Sequence, residues 1–145
     1  MASATHGLEG VWTYRSFLNT AQPVAGDPRA ALGLIFGEGE LTVFAPVGGN
    51  GFRAALSFGG DAVMDLAGSF KAASGGRPAV IRARGTGRAG SPVAGFVYDY
   101  IFFPVPDWPG GVAQRQAMVG TVMRAADHGG AKKGAVASSI TVRRD

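Results

Sequence analysis

The sequence alternates apolar and polar residues over short segments, and glycine-containing stretches separate these segments. In residues 52–58, for example, Phe52 and Leu56 share one face, while Arg53 and Ser57 lie on the other. A period of two is typical of a strand with one face in a core and one in water. The pattern predicts strands at residues 9–18, 31–37, 40–45, 52–58, 62–70, 79–85, 93–103, 114–125 and 134–143.

The order and length of these segments predict an all-β fold. One short turn or helix is expected within residues 20–30, because Asp27 followed by Pro28 can open a helical turn. Antiparallel strands without covering helices can form a sandwich or a barrel. The connections between consecutive segments are short, and closure removes exposed sheet edges. We therefore predict a closed up-and-down antiparallel β-barrel of eight or nine strands.

Composition places the chain among globular proteins with a single domain. Its 145 residues are 46% hydrophobic and 17% charged, which is enough apolar surface for one core and too little charge for a disordered chain. We predict one barrel domain over residues 1–145, with residues 1–8 as a disordered N-terminal tail. The absence of cysteine excludes disulfides, thiolate metal sites and cysteine nucleophiles.

The charge distribution does not favour a nucleic-acid or membrane partner. The net charge is +4, but basic residues stand singly or in pairs such as Lys132 and Lys133, and no basic helix is predicted. The chain has no run of 18 apolar residues, and its first ten residues do not match a secretion signal. We therefore expect a cytoplasmic protein that binds neither nucleic acid nor a membrane.

A glycine-rich motif at residues 85–90 has the G-x-G-x-x-G spacing of a dinucleotide-binding loop. Such a loop requires a following helix, whose N-terminus meets the pyrophosphate. Here the alternating segment 93–103 predicts a strand instead. We interpret the motif as a hairpin connection whose glycines have positive φ, and we expect no cofactor.

The chain contains two histidines, His6 near the N-terminus and His128 in a glycine-rich turn. Neither stands at a spacing that brings several metal ligands together, so no metal site is expected. His128 follows Asp127, and the two are candidates for an acid–base pair. Neighbouring side chains on a turn tend to point apart, which favours an exposed turn histidine instead.

Aromatic residues are densest in residues 95–111, which contain Tyr98, Tyr100 and Trp108. This segment is either a core strand followed by a stiff proline-rich loop, or the wall and lid of a pocket. In the second interpretation both tyrosines face the barrel interior, where their rings bury a ligand and their hydroxyls orient it. The prolines then hold the Trp108 loop nearly rigid over the barrel mouth.

The last three predicted strands are largely apolar on both faces. Large apolar surfaces are rarely exposed to solvent on a monomer, so we predict a homo-oligomer in which another copy of the chain covers this face. If the tyrosines face inward, Asp99 faces outward and is expected to pair with Arg115 or Arg124. If the register is inverted, Asp99 lies inside the barrel as a candidate acid or base. The interface is expected to include residues 93–103, 114–125 and 134–143.

Both ends of the chain resemble the calycin group, which contains the lipocalins, fatty-acid-binding proteins and avidins. The sequence Gly10-Val11-Trp12 opens the first strand, and Arg143-Arg144 closes the last. The resemblance implies that the Trp12 indole lies inside the closed end of the barrel with an arginine packed across it. A cation over an indole face is a stabilising contact.

Short loops and the lack of a C-terminal helix are more similar to avidins than to lipocalins. If Trp12 points inward, then Tyr14, Ser16 and Leu18 do too, and the avidin resemblance implies ligand hydrogen bonds from the start of this strand. The several tryptophans of an avidin pocket have no counterparts here, so biotin is not the expected ligand. Trp108 is implied, by analogy of fold, to cover the pocket of a neighbouring copy.

We therefore expect a binding protein for one small apolar or aromatic molecule. One alternative is a cofactor-free isomerase, cyclase or lyase, in which a tyrosine acts with an arginine or aspartate. Another is a structural or interaction domain whose interior is filled by side chains. The pocket residues are expected to be Trp12, Tyr14, Ser16, Tyr98, Tyr100 and Trp108, with Gln116 or Arg124 as a polar anchor.

Overall fold

Eight strands and one short helix make up the described part of the chain. The computed structural model describes residues 7–19, 25–46 and 48–145. The helix, α1, spans Pro28–Leu32. The strands are β1 Gly10–Leu18, β2 Ile35–Val43, β3 Gly51–Ser57, β4 Val63–Lys71, β5 Val80–Gly87, β6 Val97–Pro104, β7 Ala117–Arg124 and β8 Val136–Arg143.

Each strand pairs with the next in an antiparallel ladder, and the last strand pairs with the first. The closing ladder runs from Trp12 opposite Arg143 to Leu18 opposite Ala137. Buried and exposed residues alternate along strands such as β3 and β8, as a period of two requires. The sheet is a closed up-and-down barrel, which confirms the predicted fold class.

The nine predicted segments become eight strands because residues 31–37 and 40–45 contribute to one strand, Ile35–Val43. Gly39, one of the glycines that predicted a turn, lies inside this strand. A Cβ at Gly39 would lie 2.2 Å from the carbonyl oxygen of Ser57, so the glycine permits close backbone approach. Consecutive strands alternate in direction. With one strand fewer before them, all later strands therefore run opposite to the direction that nine separate strands would give them.

The helix expected within residues 20–30 begins at the predicted position. The Asp27 carboxylate accepts a hydrogen bond from the backbone nitrogen of Arg29 at 2.9 Å, as an N-terminal capping residue does. The part of that prediction over residues 20–24 lies outside the described residues. Within the described ranges, no helix is long and apolar enough to cross a membrane. The expected cytoplasmic location stays a prediction.

The glycine motif at residues 85–90 joins β5 to strand β6, with no helix after it. Of its three glycines, Gly90 has the positive φ expected in a hairpin connection, at +79°, whereas Gly85 and Gly87 do not. Gly85 and Gly87 belong to β5 and permit close packing. A Cβ at Gly87, for example, would lie 1.6 Å from the carbonyl oxygen of Val93.

Trp12 closes one end of the barrel, and its side chain is fully buried. Its Nε1 donates a hydrogen bond to the carbonyl oxygen of Leu8 at 2.9 Å. The guanidinium carbon of Arg143 lies 5.4 Å from the centre of the indole, which is the arrangement that the calycin resemblance implies. Of the predicted N-terminal tail, residues 1–6 lie outside the described residues, and Leu8 is buried in the core.

Strand β6 turns Tyr98 inward and Asp99 outward, as predicted. The Asp99 carboxylate accepts hydrogen bonds from Arg84 at 2.8 and 3.1 Å. The expected pairing with Arg115 or Arg124 is wrong, because Asp99 lies directly opposite Arg84 in the ladder between β5 and β6.

The outer face of β7 and β8 carries two apolar pairs on either side of the exposed pair Thr121 and Ser138, and we call the two apolar pairs the outer apolar patch. Val119 lies opposite Ile140, and Met123 lies opposite Val136. These four side chains are between 38% and 49% exposed. The patch lies within the segments from which the sequence predicts an oligomer.

Candidate functional site

The end of the barrel opposite Trp12 opens into a cavity of about 180 Å³, which we call the mouth cavity. It lies where β1 ends and β6 begins. None of its described lining residues is an aspartate, glutamate, lysine or arginine. The lining is mostly aromatic and consists of Tyr14, Ser16, Phe36, Gly37, Phe58, Val93, Phe96, Tyr98, Tyr100 and Val122.

The aromatic walls of the mouth cavity are held by contacts between rings. The rings of Tyr14 and Tyr100 meet edge to face, with centroids 6.3 Å apart. Phe36 and Tyr98 meet in the same way at 5.9 Å. Edge-to-face contacts of this kind stabilise aromatic pairs beyond the area they bury, so the walls are already ordered in the free protein.

Four hydroxyl-bearing residues lie side by side on the inner face of β1 and β8, and we call them the hydroxyl stripe. Ser16 lies opposite Ser139, and Tyr14 lies opposite Thr141. Ser139 and Thr141 are 2% and 0% exposed. Their hydroxyl oxygens have no hydrogen-bond partner among the described residues. Buried hydroxyls of folded proteins are normally bonded, so this stripe can take a partner from outside the chain.

Burial keeps two tyrosines of the mouth cavity, Tyr14 and Tyr100, protonated. It raises the pKa of Tyr14 to about 12, although a hydrogen bond with Ser16 acts in the opposite direction. Burial also raises the pKa of Tyr100 well above its ordinary value, and the neighbouring Tyr14 adds to this effect. At neutral pH the cavity therefore offers uncharged hydroxyl groups.

A tyrosine–histidine pair lies at the edge of the mouth cavity. The Tyr98 hydroxyl oxygen and His128 Nε2 are 2.8 Å apart, and the His128 ring stacks on Phe96 with centroids 3.6 Å apart. Partial burial and the positive charge of Arg124 lower the pKa of His128, while Asp127 acts in the opposite direction. At neutral pH His128 is therefore uncharged, and its Nε2 can accept the Tyr98 proton.

His128 is a site residue that the sequence offers as an acid–base candidate but does not favour. The interpretation as an exposed turn residue is wrong, because the ring is half-buried against Phe96. Tyr98 and His128 are 30 positions apart, so no local spacing connects them. The signal available was the order of the strands: β7 pairs with β6, which brings the turn after β7 to the start of β6.

The structure brings four of the predicted ligand residues together, namely Tyr14, Ser16, Tyr98 and Tyr100. Trp12 is at the closed end, outside the lining of the mouth cavity. Leu18 ends β1 and does not follow the buried series. Its side chain is 40% exposed.

Arg124 lies near the mouth cavity but does not line it. Its guanidinium carbon is 5.4 Å from the centre of the Phe36 ring, and its NH1 donates to the carbonyl oxygen of Lys132 at 3.0 Å. The side chain therefore ties the turn between β7 and β8 to the wall formed by Phe36.

Trp108 and Gln116 lie at the end of the barrel away from the mouth cavity. Trp108 is 76% exposed, and the Gln116 side-chain oxygen accepts a hydrogen bond from Arg143 at 2.6 Å. The prediction that the Trp108 loop closes over the mouth is wrong, because this loop follows the end of β6. As the sixth strand rather than the seventh, β6 runs from the mouth to the closed end.

Within the described residues, no group of three or more histidine, aspartate or glutamate side chains is placed to hold a metal ion. The sequence matches no protein-family model, and it has no significant match among curated proteins. The geometry of the mouth cavity is therefore the basis on which function is inferred.

Proposed function

We propose that this protein binds a small, uncharged, single-ring molecule in the mouth cavity. A cavity of about 180 Å³ is smaller than the roughly 300–1,000 Å³ of sites for drug-sized ligands. It is close to the size of an apolar cavity of about 150 Å³ that accepts benzene. One six-membered ring with a short substituent therefore matches the space.

The polar part of the ligand is proposed to bond to the hydroxyl stripe. The observation that carries the proposal is that the unpartnered hydroxyls of Ser139 and Thr141 lie opposite two residues that line the cavity, Ser16 and Tyr14. Each hydroxyl can donate or accept a hydrogen bond. A ligand hydroxyl or carbonyl group would satisfy them and fix the orientation of the ring.

A charged ligand is disfavoured by the same lining. Neither an arginine nor a lysine lines the described cavity, and an ion taken out of water without a partner is strongly destabilised. The raised pKa values of Tyr14 and Tyr100 keep those hydroxyls from acting as anions toward a cation. The proposed ligand class is therefore a neutral cyclic or aromatic alcohol, phenol or ketone.

The closed end supports the proposal that the barrel is calycin-like. The contact between Trp12 and Arg143 matches the feature implied by the calycin resemblance. The alternative of an interaction domain with a filled interior is less favoured, because the mouth cavity has room for a ring.

Calorimetric titration with toluene, phenol and benzoate tests the proposed function. These probes share one ring and differ in the polarity and charge of a short substituent. We expect saturable binding of toluene and phenol, with phenol the tighter. Benzoate should bind at least about 100-fold more weakly than phenol, because its charge finds no partner in the cavity. Equal binding of benzoate and phenol, or no saturable binding of any probe, would contradict the proposal.

We also propose that two copies of the chain associate through the outer apolar patch. The four described side chains of the patch carry no charge, so two positively charged copies can meet there without apposing like charges. A second copy offers the same apolar surface, as a two-fold interface requires.

A further inference from the structure

The pair formed by Tyr98 and His128 has a geometry that ligand binding alone does not require. Its hydrogen bond joins a ring that lines the mouth cavity to a ring that is partly open to solvent. Stacking on Phe96 fixes the plane of the imidazole. We propose that this pair is a proton relay, and that the protein catalyses cofactor-free proton transfer at the carbon beside the carbonyl of a cyclic ketone. This inference rests on the proposed binding of a neutral ring.

In the proposed step, a C–H bond beside the carbonyl group breaks, and its proton moves to the Tyr98 oxygen. The proton of the Tyr98 hydroxyl moves at the same time to His128 Nε2. The electron pair of the C–H bond forms the C=C bond of an enolate, and the negative charge resides on the former carbonyl oxygen. Return of a proton to the same carbon regenerates the ketone, whereas return to another carbon of a conjugated enolate gives an isomer.

The hydroxyl stripe supplies the second requirement of this reaction. An enolate oxygen carries more charge than the ketone oxygen and gains more from hydrogen bonds, so fixed donors stabilise the transition state. Tyr14 and Ser16 line the same cavity as Tyr98. The carbonyl oxygen can therefore bond to the stripe while a neighbouring carbon faces Tyr98.

The relay requires an uncharged His128, because Nε2 must have a free electron pair to take the proton. The charged groups that act on this ring are Arg124 of β7, which disfavours the imidazolium, and Asp127 of the same turn, which favours it. On β6, Tyr98 contacts the ring directly. The rate at which the protein catalyses hydrogen–deuterium exchange beside the carbonyl should therefore rise with pH through the His128 pKa, which lies below about 6.5, and then level off.

Hydrogen–deuterium exchange of cyclohexanone in heavy water, followed by NMR, tests the relay. Line broadening of the same probe reports whether it binds. We expect the wild-type protein to accelerate exchange beside the carbonyl, and Tyr98→Phe or His128→Gln to reduce that acceleration by about 100-fold or more. His128→Gln can keep a hydrogen bond to Tyr98 but cannot accept its proton at neutral pH. A purely structural role for the histidine would therefore leave exchange largely intact in that variant.

Lys133→Ala is the matched control, because Lys133 is exposed in the same turn and its side chain, unlike that of Lys132, forms no described ion pair with Asp127. It should exchange cyclohexanone at the wild-type rate. If cyclohexanone binds to folded wild-type protein but is not exchanged faster than by Tyr98→Phe, the relay is overturned and the binding function stands. If neither cyclohexanone nor the three aromatic probes bind, the proposed function is overturned, and the relay with it. An exchange rate without an inflection at the His128 pKa measured by NMR would also overturn the relay.

Discussion

Arg143 and Trp12 face each other across the ladder that closes the barrel, with the guanidinium carbon 5.4 Å from the centre of the indole. The same guanidinium donates hydrogen bonds to the carbonyl oxygen of Gly7 at 2.9 Å and to the Gln116 side chain at 2.6 Å. One side chain therefore joins the first strand, the last strand and the segment before β1. This network fixes the floor of the barrel at the end opposite the mouth cavity.

Replacing Arg143 is expected to destabilise the protein. Arg143→Met keeps much of the apolar stem but loses the cation–π contact and the charged hydrogen bonds. It should lower the free energy of unfolding by about 2 kcal/mol. Arg144→Met is the control, because Arg144 is 63% exposed and pairs only with Glu40 among the described ion pairs. Its effect should stay below about 1 kcal/mol. Urea unfolding measures both values, and equal losses would refute the role assigned to Arg143.

Removing an unpartnered hydroxyl should affect stability and binding in opposite directions. In the free protein Ser139→Ala deletes a buried oxygen without a partner, so the free energy of unfolding should stay the same or rise by up to about 1 kcal/mol. Phenol affinity should fall by about 2- to 10-fold, the effect of losing one neutral hydrogen bond. Ser138→Ala, at the neighbouring exposed position, should change neither quantity. Thermal unfolding and calorimetry provide the measurements. A clear loss of stability in Ser139→Ala would mean that this hydroxyl already has a partner.

The raised pKa of Tyr14 predicts a loss of stability in alkali. Above pH 10 the unfolded chain releases the Tyr14 proton, whereas the folded chain keeps it until about pH 12. The folded state then binds more protons than the unfolded state, so the free energy of unfolding falls as pH rises through this window. The full shift corresponds to about 3 kcal/mol.

Tyr14→Phe should therefore show a shallower decline of the free energy of unfolding over the same pH window than the wild-type protein. Denaturant unfolding at a series of pH values compares the two slopes. Parallel declines would show that the burial of the Tyr14 hydroxyl does not control its ionisation.

The outer apolar patch predicts an association that a single charge should disrupt. Ile140→Lys places an ammonium group within the patch and should convert an oligomer into a monomer of 14.8 kDa. Val112→Lys is the control, since Val112 is 90% exposed in the loop between β6 and β7, away from the patch. Sedimentation at micromolar concentration distinguishes the species. A wild-type protein that sediments as a monomer would contradict the proposed association.

The closed barrel could be predicted from the sequence because alternation with a period of two is a local property. The break expected between residues 31–37 and 40–45 could not be corrected locally. Gly39 looks like a turn residue, whereas its role is the close approach to Ser57, a contact between strands. Nine separate strands would direct the strand before Trp108 toward the mouth, whereas the eight observed strands direct β6 toward the closed end.

The candidate site was predicted only in part. Once Trp12 is placed inside the barrel, the period of two places Tyr14 and Ser16 on the inner face of β1. The same period places Tyr98 and Tyr100 together on one face of β6. His128 could not be assigned in this way, because its burial depends on how the turn after β7 packs against Phe96. Ser139 was missed because a serine in an alternating strand is usually an outward residue, and its inward orientation follows from its register with Ser16.

A phenol titration followed by NMR of the valine methyl groups tests the central claim most directly. Val93 and Val122 line the mouth cavity, whereas Val112 lies in the loop between β6 and β7. The account predicts that the methyl signals of Val93 and Val122 shift together and saturate with a single dissociation constant, while those of Val112 stay unchanged. Saturable shifts at Val112 without shifts at the two cavity valines, or no saturable shift at any of them, would contradict it.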